Sequence, residues 1–396
     1  MTLKNITFYI IIYNMEQLIK NLEPRNLAES SINHYIRHIG YLAKLFSPTK
    51  VYNSNEFLTV SYDEIMEHLN TLSAPSKRSH LASICVALNP TKDINQIAEN
   101  DKASYEKYKP QVWELNEAYL KEKKTQQFTE KEQKNWVEWD KIQEVRDEYY
   151  DNLKKLGYKV ASAPEKPNFE LVKKYLVSAL YTYNPPRRLE YAEMERITHN
   201  NYIKLNRDIR EANNYIVSVN KRKKKYFSFS KVKSKDPNEP VIIVNIGKEL
   251  NEAINIWYHI TPGVPSFLVN SELEPMSKNT LSKFLTYKVF KATGKQLSTN
   301  MLRHIYLSTV YAGDKGISFK EELAKKMNHS VHTMEHIYVK KPCPCNSCLK
   351  SQSCDIVNIV PENLPQVNAD GKFTNLNNNI VKKTNNKPNG VTINFM

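Results

Sequence analysis

Residues 327–338 read Met-Asn-His-Ser-Val-His-Thr-Met-Glu-His-Ile-Tyr, a stretch that sets His329 and Tyr338 nine residues apart. Two earlier segments carry residues suited to the same chemistry: 185–190, Pro-Pro-Arg-Arg-Leu-Glu, and 300–304, Asn-Met-Leu-Arg-His. We call these three segments the first (185–190), second (300–304) and third (327–338) islands. A metal-free phosphoryl transfer needs a nucleophile, charged donors for the non-bridging oxygens and an acid for the leaving oxygen. Arginine suits the donor role, because its planar fork meets two phosphate oxygens at once and stays charged. Together the three islands predict an enzyme that acts on a phosphate ester.

The chain before these islands has the pattern of helices. Apolar residues recur every three or four positions between Ser30 and Phe46, and similar stripes continue to about residue 90, which predicts a small helical bundle. Between Asp101 and Leu156 charges of both signs mix with aromatic residues, a composition typical of long surface helices. Within it, Thr129 and Glu132 have the spacing of a capping box.

A polar stretch, Ala161–Pro167, predicts a linker before the region that holds the islands. Short β-rich runs at 215–219, 226–229 and 241–244 are separated by polar turns and predict one small antiparallel sheet. Helical patterns resume after Leu250. The predicted fold class is therefore mainly α with a small antiparallel β-sheet, that is, α+β.

In order and spacing, the islands resemble the catalytic boxes of the tyrosine recombinases, the phage-type integrase family. The first box of that family is an arginine followed three residues later by a glutamate, which matches Arg187 and Glu190. The third is Leu-Gly-His with the nucleophile nine residues on, which matches 327–329 and Tyr338. The resemblance implies that Tyr338 attacks a DNA phosphate and that Arg187 and His329 bind it.

The second box of the family, His-x-x-Arg, is matched at Arg303, but Asn300 stands in the place of the histidine. An amide can hydrogen-bond phosphate but cannot act as a general acid. The family also has a lysine on a turn of the sheet, usually before threonine, and Lys233, which precedes a serine, fits best. The acid is thus expected to be Lys233, with His304 sharing the role as the alternative. Arg188 is expected on another side of the chain, where it should matter less than its neighbour.

The resemblance covers about residues 20–345 and implies a helical core-binding domain followed by a tyrosine-recombinase catalytic domain. The domains expected are an extension at 1–17, the core-binding domain with a charged helical insert at 18–160, the catalytic domain at 161–345 and a tail at 346–396. Pro-Pro-Arg-Arg at 185–188 and the insert with Trp136 and Trp139 most resemble the recombinases of large DNA viruses and virophages. The implied activity is site-specific recombination or integration through a 3′-phosphotyrosyl intermediate.

Two other functions stay open at this point. A type IB DNA topoisomerase is similar in its residues but rejoins the same strand, and the N-terminal helical bundle favours the recombinase. A catalytically inactive DNA-binding relative is disfavoured by the complete set of arginine, lysine, histidine and tyrosine. The chemistry is metal- and ATP-independent, so no cofactor is expected.

The charge of the chain favours a polyanionic partner. Lys and Arg number 57 against 42 Asp and Glu, a net charge of +15, and nucleic acid is the commonest such partner. The expected partner is double-stranded DNA, bound by a homotetramer, inside a cell at its DNA: a nucleus, a cytoplasmic viral factory or a prokaryotic cytoplasm. The densest basic run would contact DNA phosphates or form a solvated hairpin tip; it is Lys221, Arg222, Lys223, Lys224 and Lys225.

The cysteines and the ends of the chain complete the sequence-based expectations. One of the five cysteines is Cys85, and the others are Cys343, Cys345, Cys348 and Cys354, so the body of the chain has no disulfide framework and suits a reducing compartment. The four clustered cysteines predict either a zinc site or a reduced tail. The apolar run 8–13 is too short to cross a membrane, and no small-residue cleavage site follows it, so no signal peptide is expected; Met15 is an alternative start.

Overall fold

Helices form the N-terminal part, where apolar side chains at helical spacing bury one another. The computed structural model describes residues 16–25, 27, 29–52, 54–159, 162, 164–220, 224–232, 241–311 and 315–340. The first helices are α1 (Glu16–Leu22), α2 (Glu29–Phe46), α3 (Glu56–Val60), α4 (Tyr62–Asn70) and α5 (Ala74–Leu88). They enclose one hydrophobic core, to which Ile39, Leu58 and Ile84 contribute fully buried side chains.

The charged region that follows consists of helices, as predicted: α6 (Glu99–Lys124), α7 (Glu130–Asn135) and α8 (Trp139–Lys155). Tyr108, in the first half of α6, packs in the N-terminal core. By contrast, α8 buries Trp139 and Ile142 in a second core, which it shares with the C-terminal part of the chain. Helix α8 therefore packs with the C-terminal core, although it precedes the expected domain boundary at residue 160. The apolar stripe of α8 faces α9 (Phe169–Thr182), which explains the difference.

A small mixed sheet follows α9. Its strands are β1 (Glu195–Thr198), β2 (Tyr215–Asn220), β3 (Lys224–Phe229) and β4 (Ile242–Asn245), in the order β1-β2-β3-β4. Strands β2, β3 and β4 pair antiparallel, as predicted. Strand β1 adds a parallel pair that the sequence did not suggest, and α10 (His199–Lys204) and α11 (Arg207–Ala212) connect it to β2.

The remaining helices are α12 (Lys248–Ile260), α13 (Lys278–Phe284), α14 (Thr299–Val310), α15 (Ile317–Met327) and α16 (Val331–Thr333). π-Helical turns extend α13 over Leu285–Val289 and α16 over Met334–Tyr338. The fold is mainly α with a small sheet, so the predicted α+β class is confirmed. Nowhere in the described part of the chain is a helix long and apolar enough to cross a bilayer.

Candidate active site

Arg187 lies in the interior, in the turn that follows α9. The double proline at 185–186 ends the helix, because proline disfavours helical backbone in the preceding residue, and Arg187 is left 1% exposed. Its guanidinium stacks 3.8 Å above the ring of Phe229, and Nη1 donates to the carbonyl of Lys326. Burial lowers the pKa of Arg187, and the nearby carboxylate of Glu190 opposes that shift. The position fits a charged donor that is fixed before any ligand binds.

Arg303 joins the other two islands to each other. It is wholly buried on α14, where Nη1 donates to the carbonyl of Pro186 at 3.0 Å and Nη2 to that of Met327 at 3.2 Å. Its Cζ atom lies 5.0 Å from the centroid of the Tyr338 ring. Burial lowers the pKa of Arg303 to about 10, so the side chain remains charged at neutral pH. One arginine thus contacts the first island, the third island and the candidate nucleophile.

The third island contains a residue in the left-handed backbone conformation. Helix α15 ends at Met327, and Asn328 follows with φ of 53°, a conformation that glycine and asparagine adopt most easily. The N–H of His329 then donates to the carbonyl of Ala324 at 3.0 Å. This turn sets the His329 ring beside Tyr338, with 4.8 Å between the ring centroids. Asn328 therefore supplies the backbone geometry that a glycine would also supply.

His329 is neutral at neutral pH. Burial is the largest of the effects that lower its pKa to about 2, and the charges of Arg303, Arg188 and Arg187 contribute the rest in that order. All three arginines therefore lie close enough to act on one imidazole. Since a neutral imidazole has one N–H, His329 can donate a single hydrogen bond and accept another. A bound anion would offset the arginine charges and favour the protonated ring.

Tyr338 ends the π-helical turn and is only 7% exposed. Its ring centroid lies 4.9 Å from that of His304, whose Nδ1 donates to the Tyr338 carbonyl at 2.9 Å. The other ring nitrogen, Nε2, lies 3.4 Å from Glu132 Oε1. Burial lowers the pKa of His304 to about 4, which keeps it neutral near pH 7. Both nitrogens face protein groups, so the geometry does not support the alternative in which His304 shares the acid role.

Arg188 faces the same site, contrary to the expectation that it lies on another side of the chain. Its Nη1 is buried, and its charge lowers the pKa of both His329 and Arg303. Residues 188–193 form bends and turns and not a strand, so adjacent side chains need not point to opposite faces. The hydroxyl of Tyr181 donates to the Arg188 carbonyl at 2.6 Å and fixes that turn. Arg188 therefore lies at the candidate site, a position that the sequence did not predict.

Buried side-chain nitrogens without a partner are concentrated in the islands. Within the described residues, six such nitrogen atoms belong to this site: Arg187 Nε and Nη2, Arg188 Nη1, Arg303 Nε, Asn328 Nδ2 and His329 Nε2. Buried polar groups almost always have partners, and an unpaired buried charge is costly. One carboxylate oxygen in the same region, Glu190 Oε2, also lacks a partner and offsets part of the positive charge. The arrangement fits an anion with several acceptor oxygens, such as a phosphate diester.

Other predicted site residues stand apart. Asn300 is exposed on the first turn of α14 and forms no hydrogen bond with the other islands in the part of the chain that is described. Lys225 does not lie on the surface: it is 1% exposed, and its Nζ donates to Asn251 Oδ1 at 2.8 Å and Asn255 Oδ1 at 2.6 Å. Its assignment to DNA binding is therefore corrected, because its side chain lies on the inner face of β3. Lys224 is exposed at the start of that strand.

Several predictions fall outside the described residues. They concern Lys221, Arg222, Lys223, Lys233 and the cysteines 343, 345, 348 and 354. Among the residues that are described, no cluster of His, Cys, Asp and Glu side chains is arranged to hold a metal ion. The zinc hypothesis for the cysteines and the acid role of Lys233 both stay predictions.

Comparison with known proteins gives little support beyond the geometry. No family model matches the sequence, and no curated protein matches it. The crystal structure of XerA recombinase matches with 10% sequence identity and a TM-score of 0.30, over 86% of this chain and 96% of that chain. Values this low establish neither a family nor a function.

Proposed function

We propose that this protein is a DNA strand-transfer enzyme of the tyrosine recombinase type, with Tyr338 as its nucleophile. The observation that carries the proposal is the group of six unpartnered buried nitrogens in the islands that adjoin Tyr338. The ring contacts of Tyr338 with Arg303 and His329 link the nucleophile to that group. A phosphate diester bound there would accept hydrogen bonds from the arginines and bring its phosphorus close to the phenolic oxygen.

In the proposed reaction the Tyr338 oxygen forms a bond to phosphorus as the bond from phosphorus to the 5′-oxygen breaks. The product is a 3′-phosphotyrosyl link and a free 5′-hydroxyl. Tyr338 loses one proton, which neutral His329 can take at an unprotonated ring nitrogen, and the 5′-oxygen gains one from Lys233. Attack by a second 5′-hydroxyl reverses these steps and rejoins DNA, so the energy of the phosphate ester is kept.

The arginines would supply most of the rate by neutralising charge that develops on the non-bridging oxygens. Loss of one preorganised donor of this kind typically slows a reaction by about 10²–10³-fold. The low accessibility of Arg187 and Arg303 strengthens the interaction, because charges act more strongly away from water. Arg188 belongs to this group of arginines, and the carboxylate of Glu190 reduces the net positive charge of the group.

The partner proposed is double-stranded DNA, and the net charge of +15 suits it. We retain as proposals a homotetramer on DNA, a core-binding domain at 18–160 and a catalytic domain at 161–345, with α8 of the first packed on the core of the second. The narrower relationship to recombinases of large DNA viruses and virophages rests on residues 185–188 and the tryptophan-containing insert. A location at DNA within a cell follows from the same proposal.

The proposal is tested by incubating the protein with nicked or mismatched suicide duplexes taken from its source genome. Such duplexes release the 5′-hydroxyl end, so a covalent protein–DNA adduct accumulates. We expect an adduct with the native protein and none with Tyr338→Phe, which should still bind the duplex. Binding without any adduct in the native protein would instead indicate an inactive DNA-binding relative.

A further inference from the structure

The turn between α6 and α8 contacts the segment that carries Tyr338. We refer to residues 125–135 as the insert turn. The side-chain amide of Gln126 donates to the carbonyl of Glu335, and Lys340 Nζ donates to the carbonyl of Gln127 at 2.9 Å. These bonds join residues more than two hundred positions apart in the sequence. The insert turn therefore contacts the main chain before Tyr338 and the side chain two residues after it.

Glu132 is the centre of this contact. Its Oε2 accepts from the backbone N–H of Thr129 at 2.8 Å, which completes the predicted capping box of α7, and from Lys340 Nζ at 2.9 Å. The Lys340 side chain is 2% exposed and that of Glu132 is 12% exposed. Burial alone would raise the pKa of Glu132, but the hydrogen bonds from Lys340 and Thr129 hold it at about 2. The carboxylate thus stays charged and paired.

Two further hydrogen bonds connect α14 to Tyr338 and Lys340. His304, which lies beside Glu132, donates from Nδ1 to the Tyr338 carbonyl, and the Lys340 N–H donates to Ser308 Oγ at 2.8 Å. Because a carbonyl oxygen only accepts, the proton of neutral His304 is on Nδ1. The main chain from Tyr338 to Lys340 is therefore held on one side by α14 and on the other by the insert turn.

We propose that Glu132 is a positioning residue, which acts through Lys340 to fix the main chain that follows Tyr338. The inference rests on the proposed function, since it assigns the insert turn a part in aligning the nucleophile. A shift of about 1 Å in a reacting group can cost about 10²-fold in rate. The contacts that fix this segment come from the same chain, so Val339 and Lys340 pack within their own protomer.

The test uses the full-length protein and three variants. Glu132→Gln removes the charge, and the double variant Glu132→Gln with Lys340→Met removes both charges, a change that often leaves stability nearly intact. Glu144→Gln is the matched control, because it breaks the exposed 2.7 Å pair with Lys141 on α8. Each variant is measured for amide hydrogen exchange at 334–340, for duplex affinity and for the single-turnover rate of adduct formation.

We expect faster exchange at 334–340 in both Glu132 variants but not in Glu144→Gln. Adduct formation should slow by about 10- to 100-fold at saturating DNA, with affinity nearly unchanged. Unchanged exchange at 334–340 in the folded double variant would overturn the inference. So would a native adduct rate in that variant. If no variant or native protein forms an adduct, the proposed function fails, while the exchange result still decides whether Glu132 holds this segment.

Discussion

Arg187 and Arg146 are both buried arginines, but their hydrogen bonds predict opposite effects of substitution. Arg146 is 7% exposed, and all three of its nitrogens contact partners: Nε and Nη2 contact Asp147, and Nη1 contacts Thr182. Arg187 uses only Nη1, and its other two nitrogens have no partner within the described residues. A group that stabilises the fold should be fully paired, whereas one that binds a ligand is paired only when the ligand is present.

The perturbation is Arg187→Met, which keeps an unbranched side chain over Phe229 and removes the charge. The lost bond to the Lys326 carbonyl costs about 1.5–3 kcal/mol, the usual range for a hydrogen bond to a charged group. Removing two unpaired buried donors gives back energy on the scale of about 1–3 kcal/mol for each such group. The net change in the free energy of unfolding should therefore lie between a loss of about 1 kcal/mol and a gain of about 4.5 kcal/mol, so the variant should be destabilised only slightly if at all. The rate of adduct formation should fall by about 10²–10³-fold.

Two assays separate these effects: urea denaturation for the free energy of unfolding, and single-turnover cleavage of a suicide duplex for the rate. Arg146→Met is the control. It should lose stability by about 1.5–3 kcal/mol, the usual range for a hydrogen bond to a charged group, because its partner Asp147 is 55% exposed. Its cleavage rate should be unchanged at temperatures where it is folded. Native cleavage by Arg187→Met, together with a loss of stability as large as that of Arg146→Met, would refute the reasoning.

Three further predictions concern the same site. Sulfate or inorganic phosphate should stabilise the native protein against urea, by about 2.7 kcal/mol at a hundredfold excess over its Kd; an equal gain in Arg187→Met would contradict specific binding. The folded pKa values of His329 (about 2) and His304 (about 4) lie below the ordinary value, so their contributions to stability are complete above about pH 6.5 and are lost as the pH falls. For His304 alone the loss should reach roughly 3 kcal/mol by pH 4, measured by urea denaturation, and His304→Asn should remove that part of the slope; the same slope in that variant would refute the assignment. Lys233→Ala should cleave normal DNA poorly but recover when sulfur replaces the bridging 5′-oxygen, because that leaving group needs no proton; recovery of Lys231→Ala instead would move the acid by two residues.

The sequence was sufficient for features that depend on local pattern. Strands predicted at 215–219, 226–229 and 241–244 occur at Tyr215–Asn220, Lys224–Phe229 and Ile242–Asn245. The capping box of Thr129 and Glu132 forms as predicted, because it needs only residues three apart. The short strand β1 was missed, since four residues without clear alternation carry little signal.

The inward orientation of Lys225 could have been predicted from the sequence, although a different feature was given more weight. The basic run around it suggested a solvated tip, yet Lys225 has the same parity in the strand as Phe227 and Phe229, both fully buried. Residues two apart in a strand share a face, so the alternation already placed Lys225 inward. No such pattern indicated the position of Arg188, because it lies in a turn, where neither the helical nor the strand period of side-chain directions applies.

The contact of the insert turn with Tyr338 could not be read from the sequence. It depends on α6 crossing from the N-terminal core to the π-helical turn, and on pairs such as Glu132 and Lys340 that are far apart along the chain. Charged residues in a mixed-charge region are usually solvated, and only the packing shows that this pair is buried. The islands, by contrast, were recognised because their order and spacing are fixed along the chain.

The most direct test of the central claim is to identify the residue that becomes attached to DNA. The adduct formed with a suicide duplex is digested with nuclease and protease, and the modified peptide is sequenced by mass spectrometry. The proposed chemistry predicts a nucleotide 3′-phosphate on the hydroxyl of Tyr338. A nucleotide found on another tyrosine, such as Tyr306 or Tyr311, or an adduct that persists in Tyr338→Phe, would contradict it.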